Sequence, residues 1–187
     1  MTKHFKKMSE EIIHQNPWWE YKHDVFEYPD GEQSDYYYGQ NHGSVMVIPM
    51  LDDGRLVLVS QYRYLRGKIN IEFPRGGIGE GEPPQTGAER ELIEETGYKS
   101  SNYIKVGSFD SLPGIFKDTT HVFFADELNQ TSVPTPDKSE ALSGMQILYR
   151  RPDEFEDMIR RGEIWDGQTL AAWAMARDRV MQKLHRL

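Results

Sequence analysis

The 187-residue chain contains no cysteine. A disulfide framework and thiolate zinc sites are therefore excluded, and a cytoplasmic location fits the lack. Long apolar runs are missing too. None approaches the roughly 20 residues of a membrane span, and MTKHFKKMSEEIIHQ has no apolar core of a signal peptide, so no membrane association is expected. Positive charge is in deficit: 22 lysines and arginines against 30 acidic residues give a net charge of −8. With no long basic stripe, that balance has the wrong sign for a protein held to nucleic acid by phosphate neutralisation. Internal repeats, low-complexity blocks and a linker between two large domains are also absent.

What remains is an ordinary soluble composition, 37% hydrophobic and 28% charged, in a chain long enough for one domain with a sizeable core or one domain plus a small extension. Its densest stretch runs from Gly76 to Tyr98, GGIGEGEPPQTGAERELIEETGY. The second half reads as a short helix, with Thr86 and Glu89 at capping-box spacing and Gly97 where a helix stops. At about 100° per residue, Glu91, Glu94 and Glu95 share one sector. Arg90 is placed to pair with Glu94, while Ala88 and Leu92 offer an apolar edge. A charge run is by default a solvated face. Here, however, like charges repel at i,i+3 and i,i+4, and Glu94 and Glu95 oppose the dipole at the helix C-terminus. A hard divalent cation reverses both penalties.

The pattern Gly76-x5-Glu82-x7-Arg90-Glu91-Leu92-Ile93-Glu94-Glu95-Thr96-Gly97 resembles the signature of the Nudix hydrolases at every fixed position. The resemblance implies an α/β fold, the Nudix α/β/α sandwich with mixed and antiparallel sheets, here with an N-terminal strand extension. It also implies Mg²⁺-dependent hydrolysis (Mn²⁺ as a substitute, two or three ions) of a nucleoside diphosphate linked to another group. Metal ligands would be Glu91, Glu94, Glu95 and the backbone carbonyl of Arg75, with Arg90 supporting a glutamate. Most related sequences carry a small residue at the position of Arg75, whose side chain is open to contact substrate or Glu80. The deficit of positive charge would leave attraction for a diphosphate to metal ions and local arginines.

Residues 1 to about 16 read as a short helix or a frayed arm. Trp18 to Tyr28 alternates polar and aromatic residues, Pro29-Asp30-Gly31 signals a turn, and Gln33 to Gly39 is a returning strand. That hairpin is either a packed strand pair or a base-stacking platform, with Trp18, Trp19 and Tyr21 as the stacking candidates. Ser44 to Met50 and Leu56 to Gln61 read as a hairpin around Asp53-Gly54. Ile69 to Pro74, Asn102 to Asp110, His121 to Asp126 and Met145 to Arg150 are further strands. Gln130 to Ser143 is a polar loop. Helices are expected from Pro152 and from Asp166, the latter with a stripe through Leu170, Trp173 and Val180 that suits core packing.

Val59-Ser-Gln-Tyr-Arg63, Ile71-Glu-Phe-Pro74 and Pro113 are similar to the ADP-ribose and nucleotide-sugar branch of the family. That likeness implies that Arg63 reaches the substrate diphosphate, that Glu72 belongs to the same site, and that Pro113 shapes the wall for the terminal sugar. Glu140 matches a glutamate acting there as general base or extra metal ligand. The implied division is a β extension over residues 1–43, meeting both the base and a partner in a homodimer, and a hydrolase domain over 44–187. Two alternatives stand beside it: a nucleoside triphosphate or dinucleoside polyphosphate pyrophosphohydrolase, and a non-catalytic ADP-ribose sensor.

Overall fold

A computed structural model describes residues 4–135 and 137–187, without the side chains of Ser139 and Glu140. It divides into two compact units, residues 1–43 with 110–119, and residues 44–109 with 120–187. Among the described residues no helix is long and apolar enough to cross a membrane.

The first unit is a four-stranded sheet in the order β1 (Lys6–Gln15), β2 (Glu20–Glu27), β3 (Gln33–Gln40), β9 (Phe116–Lys117). β1 lies where a helix or frayed arm was expected. It pairs antiparallel with β2 along its length, and Ile12-Ile13 suit a strand better than a helix. β1 is exposed throughout, so it is held by strand pairing and by cross-strand ion pairs such as Lys7–Asp24 and Glu10–Lys22. The β2–β3 turn is closed by Gly31, whose φ of +94° suits glycine alone, and by Asp30, which accepts from Glu32 N–H at 3.1 Å. β3 runs parallel to β9, and a Cβ on Gly39 would overlap the Phe116 ring.

The second unit holds two sheets. One has the order β7 (Arg75–Gly77), β4 (Ser44–Pro49), β10 (Thr119–Gln130), β8 (Tyr98–Asp110). The other is antiparallel, β11 (Gln146–Arg150), β5 (Leu56–Arg63), β6 (Lys68–Glu72). Residues of β4 alternate between two cores. Val45 and Val47 pack with Ala88 and Leu92 of α1 (Pro84–Thr96), whereas Met46 and Ile48 join Phe73, Phe124, Phe155 and Trp173. The second cluster lies with α3 (Pro152–Arg160) and α4 (Gly167–Leu184). Helices therefore cover both faces of the sheet, an α/β/α sandwich.

Three local readings are corrected. β4 and β5 share the expected turn, with Gly54 at φ +85°, but meet only at a Met50–Leu56 bridge before entering different sheets. Residues 45–49 of β4 and 56–59 of β5 are buried and apolar on both faces, so each strand finds longer partners elsewhere. Helix α1 begins at Pro84 with Pro83 at its N-cap and no side-chain cap, which places Thr86 inside the first turn. Two consecutive prolines pre-set that turn and have no N–H to cap. Within the polar stretch 130–143 lies a short helix, α2 (Lys138–Leu142).

Candidate active site

Helix α1 presents its acidic residues unequally. Glu91 and Glu95, one turn apart, are buried at 7% and 1% exposure; Glu94 is partly exposed. The apolar edge at Ala88 and Leu92 presses the helix onto the sheet and so carries the two carboxylates inward against β7. A Cβ at Gly76 would fall on the Glu91 carboxylate, so the close approach requires a bare backbone. Glu95 Oε2 accepts the Arg75 backbone N–H at 3.1 Å. At the C-terminus of α1, Gly97 adopts φ +73° and returns its N–H to Ile93, while Thr135 N–H donates to the Glu94 carbonyl at 2.8 Å.

Arg90 ties the glycine loop to the helix. Its guanidinium donates to Gly77 O at 2.8 Å, Glu82 at 3.2 Å, Glu91 Oε1 at 2.5 Å and Glu94 Oε2 at 3.1 Å. Glu82 also accepts Gly79 N–H at 2.9 Å. The Glu82 hydrogen bond raises the Arg90 pKa further, and Arg90, followed by the Gly79 N–H, holds the Glu82 carboxyl below the usual range. Three carboxylates thus converge on one guanidinium.

Beside this stripe lies a second charged group centred on Glu72, whose side chain is fully buried. Its carboxylate accepts from Gln61 at 2.8 Å, Asn70 at 2.8 Å and Arg63 Nη2, and forms an ion pair with Arg75 Nη2 at 2.8 Å. Arg75 continues to Gln168 and, at 3.3 Å, to Asp166. Asp166 in turn caps α4 through Thr169 N–H at 3.0 Å. Arg75 therefore joins the two groups, its backbone on Glu95 and its side chain on Glu72. That side chain meets Glu72, Asp166 and Gln168, not Glu80. Gln61, Asn70, Asp166 and Gln168 were not anticipated; the one local signal was polar residues at alternate positions in otherwise apolar strands.

The comparisons with known proteins bear on this arrangement. A NUDIX domain model matches residues 40–172. The chain belongs to the Nudix family. The ADP-ribose pyrophosphatase of Bacillus subtilis (strain 168) is 31% identical over 153 residues, 81% of this chain and 80% of that protein. The ADP-ribose pyrophosphatase of Mycobacterium tuberculosis (strain ATCC 25618 / H37Rv) is 29% identical over 173 residues, covering 91% and 83%. In fold, a crystal structure of an ADP compounds hydrolase matches with a TM-score of 0.83 at 17% identity, over 97% of this chain and 96% of that one.

Nudix hydrolases generally use a divalent metal, and the donors here fit one. They are hard oxygens, two of the carboxylates are buried, and the glycine at position 76 leaves room for Glu91 beside the backbone. Among the described residues, no three acidic or histidine side chains alone come together closely enough to enclose an ion. A bound cation would thus share the glutamates with backbone oxygen and water, as Mg²⁺ commonly does.

The remaining expected site residues of this Nudix chain belong to the first unit, apart from Glu140. Trp18 and Trp19 precede β2 rather than joining it, in a turn where Asn16 Oδ1 accepts both N–H groups at 2.9 and 3.0 Å. Trp18 is exposed at 78%, and both rings line a cavity of ≈ 170 Å³ in the first unit. Tyr21 stacks on Tyr37, ring centroids 6.2 Å apart. Pro113 lines a different cavity of the first unit, ≈ 560 Å³, with Lys7, Tyr36 and Phe116. Glu140 falls in α2, its side chain outside the described residues.

Proposed function

We propose that the chain hydrolyses the diphosphate of nucleoside diphosphate sugars of the ADP-ribose type, releasing a nucleoside monophosphate and a sugar phosphate. The observation that carries this reading is the pair of buried carboxylates, Glu91 and Glu95, against the bare backbone at Gly76, next to a guanidinium, Arg63, anchored by Glu72. The names of the two bacterial pyrophosphatases support the substrate class.

Glu91, Glu94, Glu95 and the Arg75 carbonyl would hold Mg²⁺, with Mn²⁺ as a substitute and two or three ions in all. When bound, the metal withdraws charge from the diphosphate and stabilises the leaving oxygen. Arg63 binds the diphosphate, and Glu72 orients Arg63. Arg90 keeps Glu91, Glu94 and the glycine loop in register. Glu140 accepts the proton of the attacking water: oxygen bonds to phosphorus, the phosphorus–bridging-oxygen bond breaks, and its electron pair leaves with the departing phosphate. Trp18, Trp19 and Tyr21 stack the base, Pro113 borders the sugar, and residues 1–43 carry the contact of a cytoplasmic homodimer. No nucleic-acid partner is proposed.

The test is product analysis with ADP-ribose, GDP-mannose and a nucleoside triphosphate, each with Mg²⁺ and with EDTA. Monophosphate should appear from a nucleotide sugar only with Mg²⁺. Release of pyrophosphate from the triphosphate alone would overturn the substrate class, and binding of ADP-ribose without cleavage would make the protein a sensor.

A further inference from the structure

Beyond Val59, one face of the β5–β6 pair is polar out to its open end. Its register sets Val59 opposite Glu72, Gln61 opposite Asn70 and Arg63 opposite Lys68. Strand alternation then brings Gln61, Arg63, Lys68, Asn70 and Glu72 to the same side, and the hydrogen bonds of Gln61, Arg63 and Asn70 to Glu72 follow from it. Burial is graded along that face. Glu72, Asn70 and Gln61 are buried, Arg63 is 33% exposed, and Lys68 is open to solvent.

At the open end like charges meet. Arg63 and Lys68 stand directly opposite each other, an arrangement that destabilises an antiparallel pair. Arg66 follows in the 3₁₀ turn Tyr64–Arg66 between the strands. Glu72 answers Arg63. Among the described residues, neither Lys68 nor Arg66 has a carboxylate at ion-pair distance, and both overlie the Trp165 indole: Lys68 Nζ 4.2 Å and Arg66 Cζ 5.9 Å from the ring centroid. Trp165 is fixed in turn, its Nε1 donating to the Ile69 carbonyl at 3.1 Å, and its neighbour Asp166 is held by Arg75. In a chain of net charge −8, three cations with one internal counter-charge form a local surplus that an external anion neutralises.

We propose that Lys68 and Arg66, held over Trp165, form with Arg63 a docking site for the phosphate chain of a nucleotide. The inference rests on the role given to Arg63 under the proposed function. It adds the direction of approach, from the open end of the hairpin toward Glu72. Lysine supplies a compact point charge and arginine a fork, a combination suited to successive phosphoryl groups. Trp165 is a positioning residue: an ammonium already resting on a ring loses less freedom on binding.

The test is calorimetric titration of inorganic pyrophosphate in EDTA into the full chain and its Lys68→Met, Lys68→Arg and Trp165→Ala variants, alongside steady-state kinetics with ADP-ribose and Mg²⁺. Loss of one charge-assisted contact should weaken pyrophosphate binding by about tenfold in Lys68→Met, with Lys68→Arg restoring most of it and Trp165→Ala falling between. KM for ADP-ribose should rise in parallel while kcat stays within about twofold, the signature of a lost binding contact. Lys68 is exposed, so its replacement leaves the fold intact, and a thermal melt checks this. Absence of pyrophosphate binding to the wild type, equal binding in Lys68→Met, or a loss of kcat at constant KM would overturn the proposal. Lys68-dependent pyrophosphate binding without cleavage of any nucleotide sugar would instead sink the proposed function and leave the docking site standing.

Discussion

Replacing Glu72 by glutamine keeps the side chain's shape and removes its charge. In the wild type, the Arg63 guanidinium and two amide N–H groups donate to this fully buried carboxylate, and the Arg75 guanidinium pairs with it. Glutamine has one acceptor oxygen and turns an NH₂ toward donors, so both arginines lose their shared counter-ion. Breaking a fully buried ion pair costs about 3–5 kcal/mol. Arg63 and Arg75 are 33% and 18% exposed, and Asp166 still meets Arg75, which places the expected loss at the low end, ~3 kcal/mol. For a domain of this size that is a fall in Tm of roughly 6–12 °C. Arg63 also loses its anchor, so KM for a nucleotide sugar should rise by about tenfold or more, as for loss of a positioned charged contact. Scanning calorimetry and steady-state kinetics on the same preparations give both numbers. A Tm within about 2 °C of wild type, together with an unchanged KM, would refute the claim that Glu72 holds the two arginines.

Other consequences follow from the same geometry. Gly76→Ala places a methyl group on the Glu91 carboxylate, and should lower Mn²⁺ affinity about 10–100-fold with the fold retained, as titration followed by circular dichroism would show. Glu82 contributes a pH-dependent tie. Its pKa is depressed below the ordinary 4.5, first by Arg90 and then by Gly79 N–H. The stabilisation is therefore complete above 4.5 and lost as pH falls through the lowered folded value. The Tm gap between wild type and Glu82→Gln should be constant near neutrality and close in acid; a gap that widens in acid would contradict the assignment.

How much of this was legible before the structure depends on the range of each interaction. The helix from Pro84 to Thr96 and its αL stop at Gly97 follow from local spacing, as does the pairing of Arg90 with Glu94. Thr86 misled because its T-x-x-E spacing competes with prolines that fix the turn earlier. The alternation from Trp18 misled in the same way, since Asn16 captures the Trp18 and Trp19 N–H groups in a turn and the strand starts at Glu20. β4 and β5 carry a proper turn between them, but their partners lie far along the chain: β10 and β7 for one, β11 and β6 for the other. The Glu72 group was least visible. Its links run from Gln61 to Asn70 within one hairpin, and then across 93 positions from Arg75 to Gln168, which no local periodicity reports.

The central claim is that the acidic residues of α1 hold a divalent ion for diphosphate cleavage, and titration calorimetry with Mg²⁺ in the presence of α,β-methylene ADP-ribose, whose bridge cannot be hydrolysed, tests it most directly. The wild type should take up Mg²⁺, and a Glu91→Gln/Glu95→Gln double variant should not. No uptake by the wild type, or equal uptake by the variant, would contradict the account.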